Sequence, residues 1–181
     1  ALSHIASAWV HEFEGDFDGA HTALDRADIL DPDNAFALES RIRAFHKQGR
    51  RGEAVAMTDY AMGVHPNTPI FYSYAGQFLL GQDEFAKAEA MFRRIVELTP
   101  DNSRAYAQLA QTLHLQDRTT EAVQVLQDGL LINPSDSLYN NLGTYLFFQG
   151  HYGIAADAFE RALSFKGNSH AYLYWANYAD A

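Results

Sequence analysis

Four prolines divide the 181-residue chain at a constant interval. Pro32, Pro66, Pro100 and Pro134 are spaced by 34 residues. Proline inside a helix removes a hydrogen bond and clashes with the preceding turn, so each of the four marks a helix boundary. The fifth proline, Pro69, follows Pro66 closely, at a point where the first turn of a new helix tolerates it. The interval therefore predicts a chain of repeated units.

Small residues recur in the same phase, as close packing between helices requires. Alanine precedes each spaced proline by twelve residues and comes one residue early in the fifth unit: Ala20, Ala54, Ala88, Ala122 and Ala155. A mostly large side chain follows four residues later, on the same helical face: Leu24, Thr58, Phe92, Leu126 and Phe159. Upstream, close helix contact is predicted at Ala8, Ile42, Gly76, Ala110 and Gly143. A second turn is predicted at Gly15, Gly49, Asp83, Asp117 and Gly150, which makes two helices per period.

This arrangement resembles the tetratricopeptide repeat. The best copy is Tyr139, Leu142, Gly143, Leu146, Gly150, Tyr152, Ala155, Phe159 and Ala162. The resemblance covers essentially the whole chain and implies an all-α fold, a right-handed α-solenoid of antiparallel helix pairs. Arg41 and Thr58 depart from the apolar pattern in the second copy, and Gly167 stands where a fifth proline is expected.

The period predicts a single array over residues 1–181 with no linker. Its copies are 1–34, 35–68, 69–102, 103–135 and 136–169, followed by a partial repeat or capping helix at 170–181. Each hairpin can bury its apolar face only against its neighbours, so the copies are expected to stack. The chain is also expected to be a segment of a larger bacterial protein, and its compartment, cytoplasm or periplasm, stays open.

The resemblance implies a scaffold that binds a protein or peptide in a concave groove lined by the first helix of each pair. Counting by phase nominates these groove residues: Glu39, Arg43, Ser73, Gln77, Arg104, Gln108, Gln111, Asn140, Asn141, Thr144, Tyr174 and Tyr178. Amide side chains both donate to and accept from a peptide backbone, so they suit an extended ligand. The alternative is that these amides only make the inner face polar because it is exposed to water, and bind no ligand.

One known subtype of the family clamps a carboxylate with lysine, arginine and asparagine side chains. Ile5 and Trp9 occupy the first-copy positions for that lysine and asparagine, so no such clamp is expected. Arg43, Lys47 and Arg104 are interpreted as solvated surface charges, with contact to an acidic partner as the alternative.

The charge of −10 argues against binding to nucleic acids or anionic membranes, since both partners are polyanions. No apolar run is long enough to span a bilayer. Copy one carries eight acids and one base. Its Glu12, Glu14, Asp16 and Asp18 are interpreted as a solvated acidic turn. A calcium loop is disfavoured, because Ala23 stands where a bidentate glutamate is required.

Catalytic and cofactor motifs are missing from the sequence. There is no cysteine, no HExxH, no glycine-rich phosphate loop and no GxSxG. The prediction is therefore a non-enzyme without metal or cofactor. Two other functions stay open, a module of polysaccharide export or a regulatory array on a signalling domain. The aromatic tract Tyr172, Tyr174, Trp175 and Tyr178 is predicted to cap the last hairpin or to support self-association.

Overall fold

The computed structural model describes residues 1–165, which form ten α-helices and no strand. The helices are α1 (Leu2–Glu14), α2 (Phe17–Leu30), α3 (Ala35–Lys47), α4 (Arg51–Val64), α5 (Pro69–Leu80), α6 (Phe85–Leu98), α7 (Ser103–His114), α8 (Thr119–Ile132), α9 (Asp136–Phe148) and α10 (Tyr152–Ser164). They belong to two compact units, Ala1–Phe78 and Leu79–Ala181. We call these the N-terminal and C-terminal units.

The turn inside each hairpin has the backbone conformation that its sequence predicts. Gly15, Gly49, Asp83, Asp117 and Gly150 have φ of 80°, 72°, 59°, 60° and 80°. Glycine adopts this left-handed region without strain, and aspartate tolerates it better than most residues. The predicted mid-repeat turns are therefore confirmed in all five copies.

Asparagine and serine start the first helices of several pairs. The Asn34 side chain accepts from the backbone N–H of Phe36 and Ala37, at 3.0 and 3.3 Å. Asn102 and Ser135 cap α7 and α9 in the same way. These caps satisfy backbone donors that a helix start leaves unpaired. Pro69 begins α5, as predicted.

The core of the N-terminal unit follows the predicted small-residue positions. Ala8, Ala20 and Leu24 join α1 to α2, and Ala37 of α3 packs on the same cluster. A second cluster joins α3, α4 and α5 through Leu38, Ile42, Ala54, Ala61, Phe71 and Phe78. Burial of these apolar surfaces drives the association of the hairpins.

The two departures from the apolar pattern are each compensated locally. Thr58 is buried, and its hydroxyl donates to the Ala54 carbonyl at 2.7 Å. The Arg41 guanidinium pairs with Asp25 and Asp28 of α2, at 3.0 and 2.7 Å. A buried polar group costs little when it is hydrogen-bonded.

In the C-terminal unit, two glycines let helices approach closely. A Cβ atom on Gly143 of α9 would lie 2.6 Å from the Phe159 ring of α10. A Cβ atom on Gly129 of α8 would lie 2.7 Å from Tyr106 of α7. Ala88, Ala122 and Ala155, the predicted contact alanines, are fully buried. No helix among residues 1–165 is long and apolar enough to cross a bilayer.

Candidate functional site

A cleft of about 410 Å³ opens between α1 and α3 of the N-terminal unit. Its lining comprises Trp9, Glu12, Phe13, Phe36, Glu39, Arg43 and Lys47. Phe13 is 93% exposed, and Trp9 and Phe36 are about half exposed. Large aromatic surfaces in contact with water favour a ligand that would cover them.

The charged groups of the cleft meet at Glu12, which is buried although it is ionisable. Arg43 Nε donates to both carboxylate oxygens of Glu12, at 2.8 and 3.0 Å. Lys47 Nζ lies 2.8 Å from Glu12 Oε1. Burial alone would raise the pKa of Glu12, but the hydrogen bonds from Arg43 and Lys47 outweigh it and hold this pKa below its usual value.

This cluster corrects two expectations. Glu12 does not belong to a solvated acidic turn, because its side chain is only 4% exposed and bridges α1 to α3. Arg43 and Lys47 are likewise not independent surface charges. Glu12 lies on the same groove face as Arg43, one copy earlier in the chain. The two side chains are close enough to form an ion pair.

Glu39 and Arg43 are brought together by the structure. Arg43 Nη1 lies 3.4 Å from Glu39 Oε1, one turn away on α3. The Arg43 guanidinium also stands 5.7 Å from the centre of the Trp9 ring, within reach of a cation–π interaction. The indole N–H of Trp9 donates to Ser40 Oγ at 2.6 Å. The floor of the cleft is therefore held by contacts from both helices.

Ser73 and Gln77 lie one turn apart on α5 of the same unit. Gln77 Nε2 donates to Ser73 Oγ at 3.2 Å, and Gln77 is exposed. Tyr74 beside them is half-buried and stacks on Phe78. Burial and the charge of Glu39 raise the pKa of Tyr74.

In the C-terminal unit, the nominated residues lie on α7 and α9, which pack together. Arg104 and Gln111 are exposed, whereas Gln108, Asn140, Asn141 and Thr144 are half-buried. The Thr144 hydroxyl donates to the Asn140 carbonyl at 2.9 Å, so the hydroxyl hydrogen is already bonded within α9. Tyr174 and Tyr178 lie outside the described residues.

An aromatic cluster lies at the ends of α7 and α9, and the repeat pattern does not predict it. The His114 ring stacks on Tyr145 and Phe148, with centroids 4.7 and 5.4 Å apart. His114 Nδ1 also lies 2.9 Å from Thr119 Oγ1. Burial raises the pKa of Tyr145 to about 12. Within residues 1–165, no group of His, Asp and Glu side chains could hold a metal ion.

The repeat pattern of the sequence points to Glu12 and Trp9 as residues of this face. Counting by phase, which nominates Arg43 at the ninth position of copy two, selects Trp9 at the ninth position of copy one, and Glu12 lies three residues further on the same helical face. Applied to the first copy, it would have found both. It could not have shown that Glu12 is buried, because burial depends on the distance between α1 and α3.

Ten helices joined in pairs by turns that each hold one residue in the left-handed conformation, with an alanine at the same buried position of every second helix, define a helical-repeat protein. Two family profiles, both described as tetratricopeptide repeat, match residues 79–144 and 137–166. The two profiles identify tetratricopeptide repeats over residues 79–166, which confirms the repeat that the sequence pattern predicts.

Among curated proteins, human mitochondrial import receptor subunit TOM70 is 26% identical over 145 residues. The match covers 75% of this chain and 24% of TOM70. Human tetratricopeptide repeat protein 7B is 26% identical over 124 residues, which cover 68% of this chain and 15% of that protein. The chain thus spans about a quarter or less of the length of these relatives.

Solved structures of similar fold include PilF of Pseudomonas aeruginosa, with a TM-score of 0.78 and 18% identity. That match covers 98% of this chain and 82% of PilF. MamA of Desulfovibrio magneticus RS-1 has a TM-score of 0.74 and 16% identity, with 93% of this chain and 96% of MamA covered. The predicted fold class, an all-α solenoid of helix pairs, is confirmed.

Proposed function

We propose that this chain is a scaffold that binds a segment of a partner protein, and that the cleft between α1 and α3 receives a large apolar side chain. The observation that carries the proposal is the aromatic lining of the cleft, Trp9, Phe13 and Phe36, above a charge cluster that is already neutralised. Tetratricopeptide-repeat proteins act in general as interaction scaffolds, and TOM70 is named as a receptor subunit.

The pairing inside the cleft selects the chemistry of the ligand. Arg43 and Lys47 are both within 2.8 Å of Glu12, so a ligand carboxylate would have to displace a buried acid. An apolar side chain needs no such exchange and gains from contact with the aromatic rings. Burial of one large apolar side chain contributes about 1.5–3 kcal/mol. The exposed amide of Gln77 is a further contact for the backbone of the segment.

The test uses peptides selected by phage display from a random dodecapeptide library on immobilised chain. Binding of each selected peptide is followed by the fluorescence of Trp9, with Trp175→Phe removing the only other tryptophan. We expect peptides with an aromatic or large aliphatic anchor. Phe13→Ser should weaken their binding about tenfold or more, because it removes one wall of the cleft.

Ile29→Ser is the matched control. Ile29 lies on α2 of the same unit and is 81% exposed, so its replacement removes a comparable apolar surface outside the cleft. If Phe13→Ser and Ile29→Ser bind the selected peptides equally well, the cleft is not the binding site. A second pair of substitutions, Gln111→Ala with Asn140→Ala, tests the nominated amides of the C-terminal unit in the same assay.

A further inference from the structure

Glu39 differs from the other charged residues of the cleft because its own pairing is incomplete. Arg43 and Lys47 both lie 2.8 Å from the Glu12 carboxylate. Among residues 1–165, Glu39 has one ion pair, to Arg43 Nη1, and at 3.4 Å it is long for a charge-assisted hydrogen bond. The Glu39 side chain is 25% exposed, so a ligand can reach it. The cleft therefore holds one acid that can accept a further donor.

Glu39 lies one turn from Phe36 on the same face of α3. The Phe36 ring is 55% exposed, and both residues line the cleft. A lysine or arginine side chain has an apolar stem that packs on an aromatic ring and a charged end that stays among polar groups. Such a side chain can contact Phe36 with its stem and Glu39 with its charge.

The same cleft already contains one arrangement of this kind. The Arg43 guanidinium stands 5.7 Å from the centre of the Trp9 ring and makes its short hydrogen bonds to Glu12. A ring, a cation and a carboxylate are thus combined beside α1. Phe36 and Glu39 provide the ring and the carboxylate on α3, without a short contact to a cation among residues 1–165.

The cleft belongs to a face that is exposed in the later copies as well. The thirteenth residue is exposed in all five copies: Phe13, Lys47, Gly81, Leu115 and Phe148. Gln77 and Gln111, at the position of Trp9, are exposed in copies three and four. Each of these later copies follows another hairpin. The exposure of this face therefore does not depend on what precedes copy one.

The net charge of the N-terminal unit favours a cationic ligand. Residues 1–78 contain eleven acidic and six basic residues, which gives a net charge of −5. A field of this sign attracts segments that carry lysine or arginine and repels acidic segments. The long-range field and the acid inside the cleft therefore select the same sign of ligand.

We infer that the segment bound in the cleft carries a lysine or arginine within about three residues of its apolar anchor, and that the Glu39 carboxylate binds this cation. From Phe36 to Arg43, α3 rises about 10 Å, the length of about three extended residues. The inference rests on the proposed function, because it concerns the same cleft and the same ligand. It narrows the ligand to a basic segment with a large apolar side chain.

Selection from the random dodecapeptide library tests the composition of the ligand. Peptides selected on the wild-type chain should contain lysine or arginine close to the anchor more often than the unselected library, and peptides selected on Glu39→Lys should not. Apolar anchors selected without a nearby cation would overturn this inference and leave the proposed function standing. Selected peptides that bind Phe13→Ser as tightly as wild type would overturn both.

The contact with Glu39 is measured with one selected peptide and a second in which glutamine replaces the cation. At low salt, Glu39→Gln should weaken the cationic peptide about threefold or more, because an ion pair in a partly buried site is lost. The glutamine peptide should be weakened distinctly less. This comparison of protein and peptide substitutions isolates the pair from other effects of the variant. Equal weakening of both peptides would show that Glu39 only supports the cleft, and the inference would fall.

Asp59→Asn is the matched control for net charge. Asp59 is an exposed acid of α4 in the same unit and does not line the cleft. Its replacement removes one negative charge, as Glu39→Gln does, and should change the binding of the cationic peptide less than about 1.5-fold at low salt. A loss equal to that of Glu39→Gln would assign the preference to net charge alone and would overturn the contact with Glu39.

Discussion

At the scale of single residues, Glu12 is a carboxylate whose burial cannot be predicted from its neighbours in the sequence. It stands among Glu14, Asp16 and Asp18, yet it is buried and holds two cations of α3. A carboxylate in the last turn of a helix faces the negative end of the dipole. The hydrogen bonds from Arg43 and Lys47 offset that cost, and they tie α1 to α3.

Replacement of Glu12 by glutamine should destabilise the chain by about 1–3 kcal/mol at pH 7, because charge-assisted hydrogen bonds of this kind contribute that much. The folded pKa of Glu12 is lowered from 4.5. Its contribution is therefore complete above the unfolded pKa and is lost as the pH falls through the folded pKa. Urea unfolding should show the gap between wild type and variant narrowing below about pH 4.5.

Glu14→Gln serves as the comparison, since Glu14 is exposed on the same helix. Its unfolding free energy should stay within about 0.5 kcal/mol of wild type at pH 7. A Glu12→Gln loss no larger than this, or one that persists undiminished at pH 3, would show that the pair with Arg43 contributes nothing.

The contrast between the alanines and Glu12 shows what a repeat pattern can predict. Ala20, Ala54 and Ala88 were found because a small side chain is required wherever two helices of a hairpin touch, and that requirement recurs every 34 residues. Glu12 and Arg43 meet only once, between adjacent copies that differ in sequence. Periodicity carries no information about such a single contact.

At the scale of helices, Gly143 lets α9 lie close to α10 in the C-terminal unit. An alanine Cβ at Gly143 would come within 2.6 Å of the ring of Phe159, which is buried. We expect Gly143→Ala to destabilise the chain by about 1–2 kcal/mol, since overpacking costs more than the gain in helix propensity returns. Thermal and urea unfolding measure this change.

Gly63→Ala provides a control of opposite sign. Gly63 lies within α4, and an added Cβ would meet nothing within 4 Å. This variant should be stabilised slightly, by about 0.5 kcal/mol or less, through helix propensity alone, since Gly63 lies in the last turn of α4. If both alanine variants are more stable than wild type, α9 and α10 have room for a methyl group at Gly143. Recovery of stability when Phe159→Leu is added to Gly143→Ala would locate the clash at that ring.

The contacts between neighbouring hairpins are harder to predict from the sequence than the turns inside a hairpin. The mid-repeat turns follow from Gly15, Gly49, Asp83, Asp117 and Gly150, because few residues accept positive φ. Gln48, Gln116 and Gln149 each contact the second helix of the preceding hairpin, but a polar residue at a helix end has many possible roles. Only its partner on that preceding helix distinguishes these roles.

At the scale of the whole molecule, stability should not be uniform, because each hairpin depends on its neighbours. Within the N-terminal unit, α3 packs against α1, α2 and α4, whereas Val10 of α1 remains open to water. Hydrogen–deuterium exchange should therefore be at least about tenfold faster for amides in α1 than for amides in α3.

Equal exchange of α1 and α3 would contradict this expectation. Such a result would mean that the exposed side of α1 does not weaken that helix.

The contact between α1 and α3 also bears on how hairpins of such an array can be exchanged. A substitute for the second hairpin that lacks cations at the positions of Arg43 and Lys47 would leave the Glu12 carboxylate buried without a partner. Exchange of the first two hairpins together would keep the pair intact.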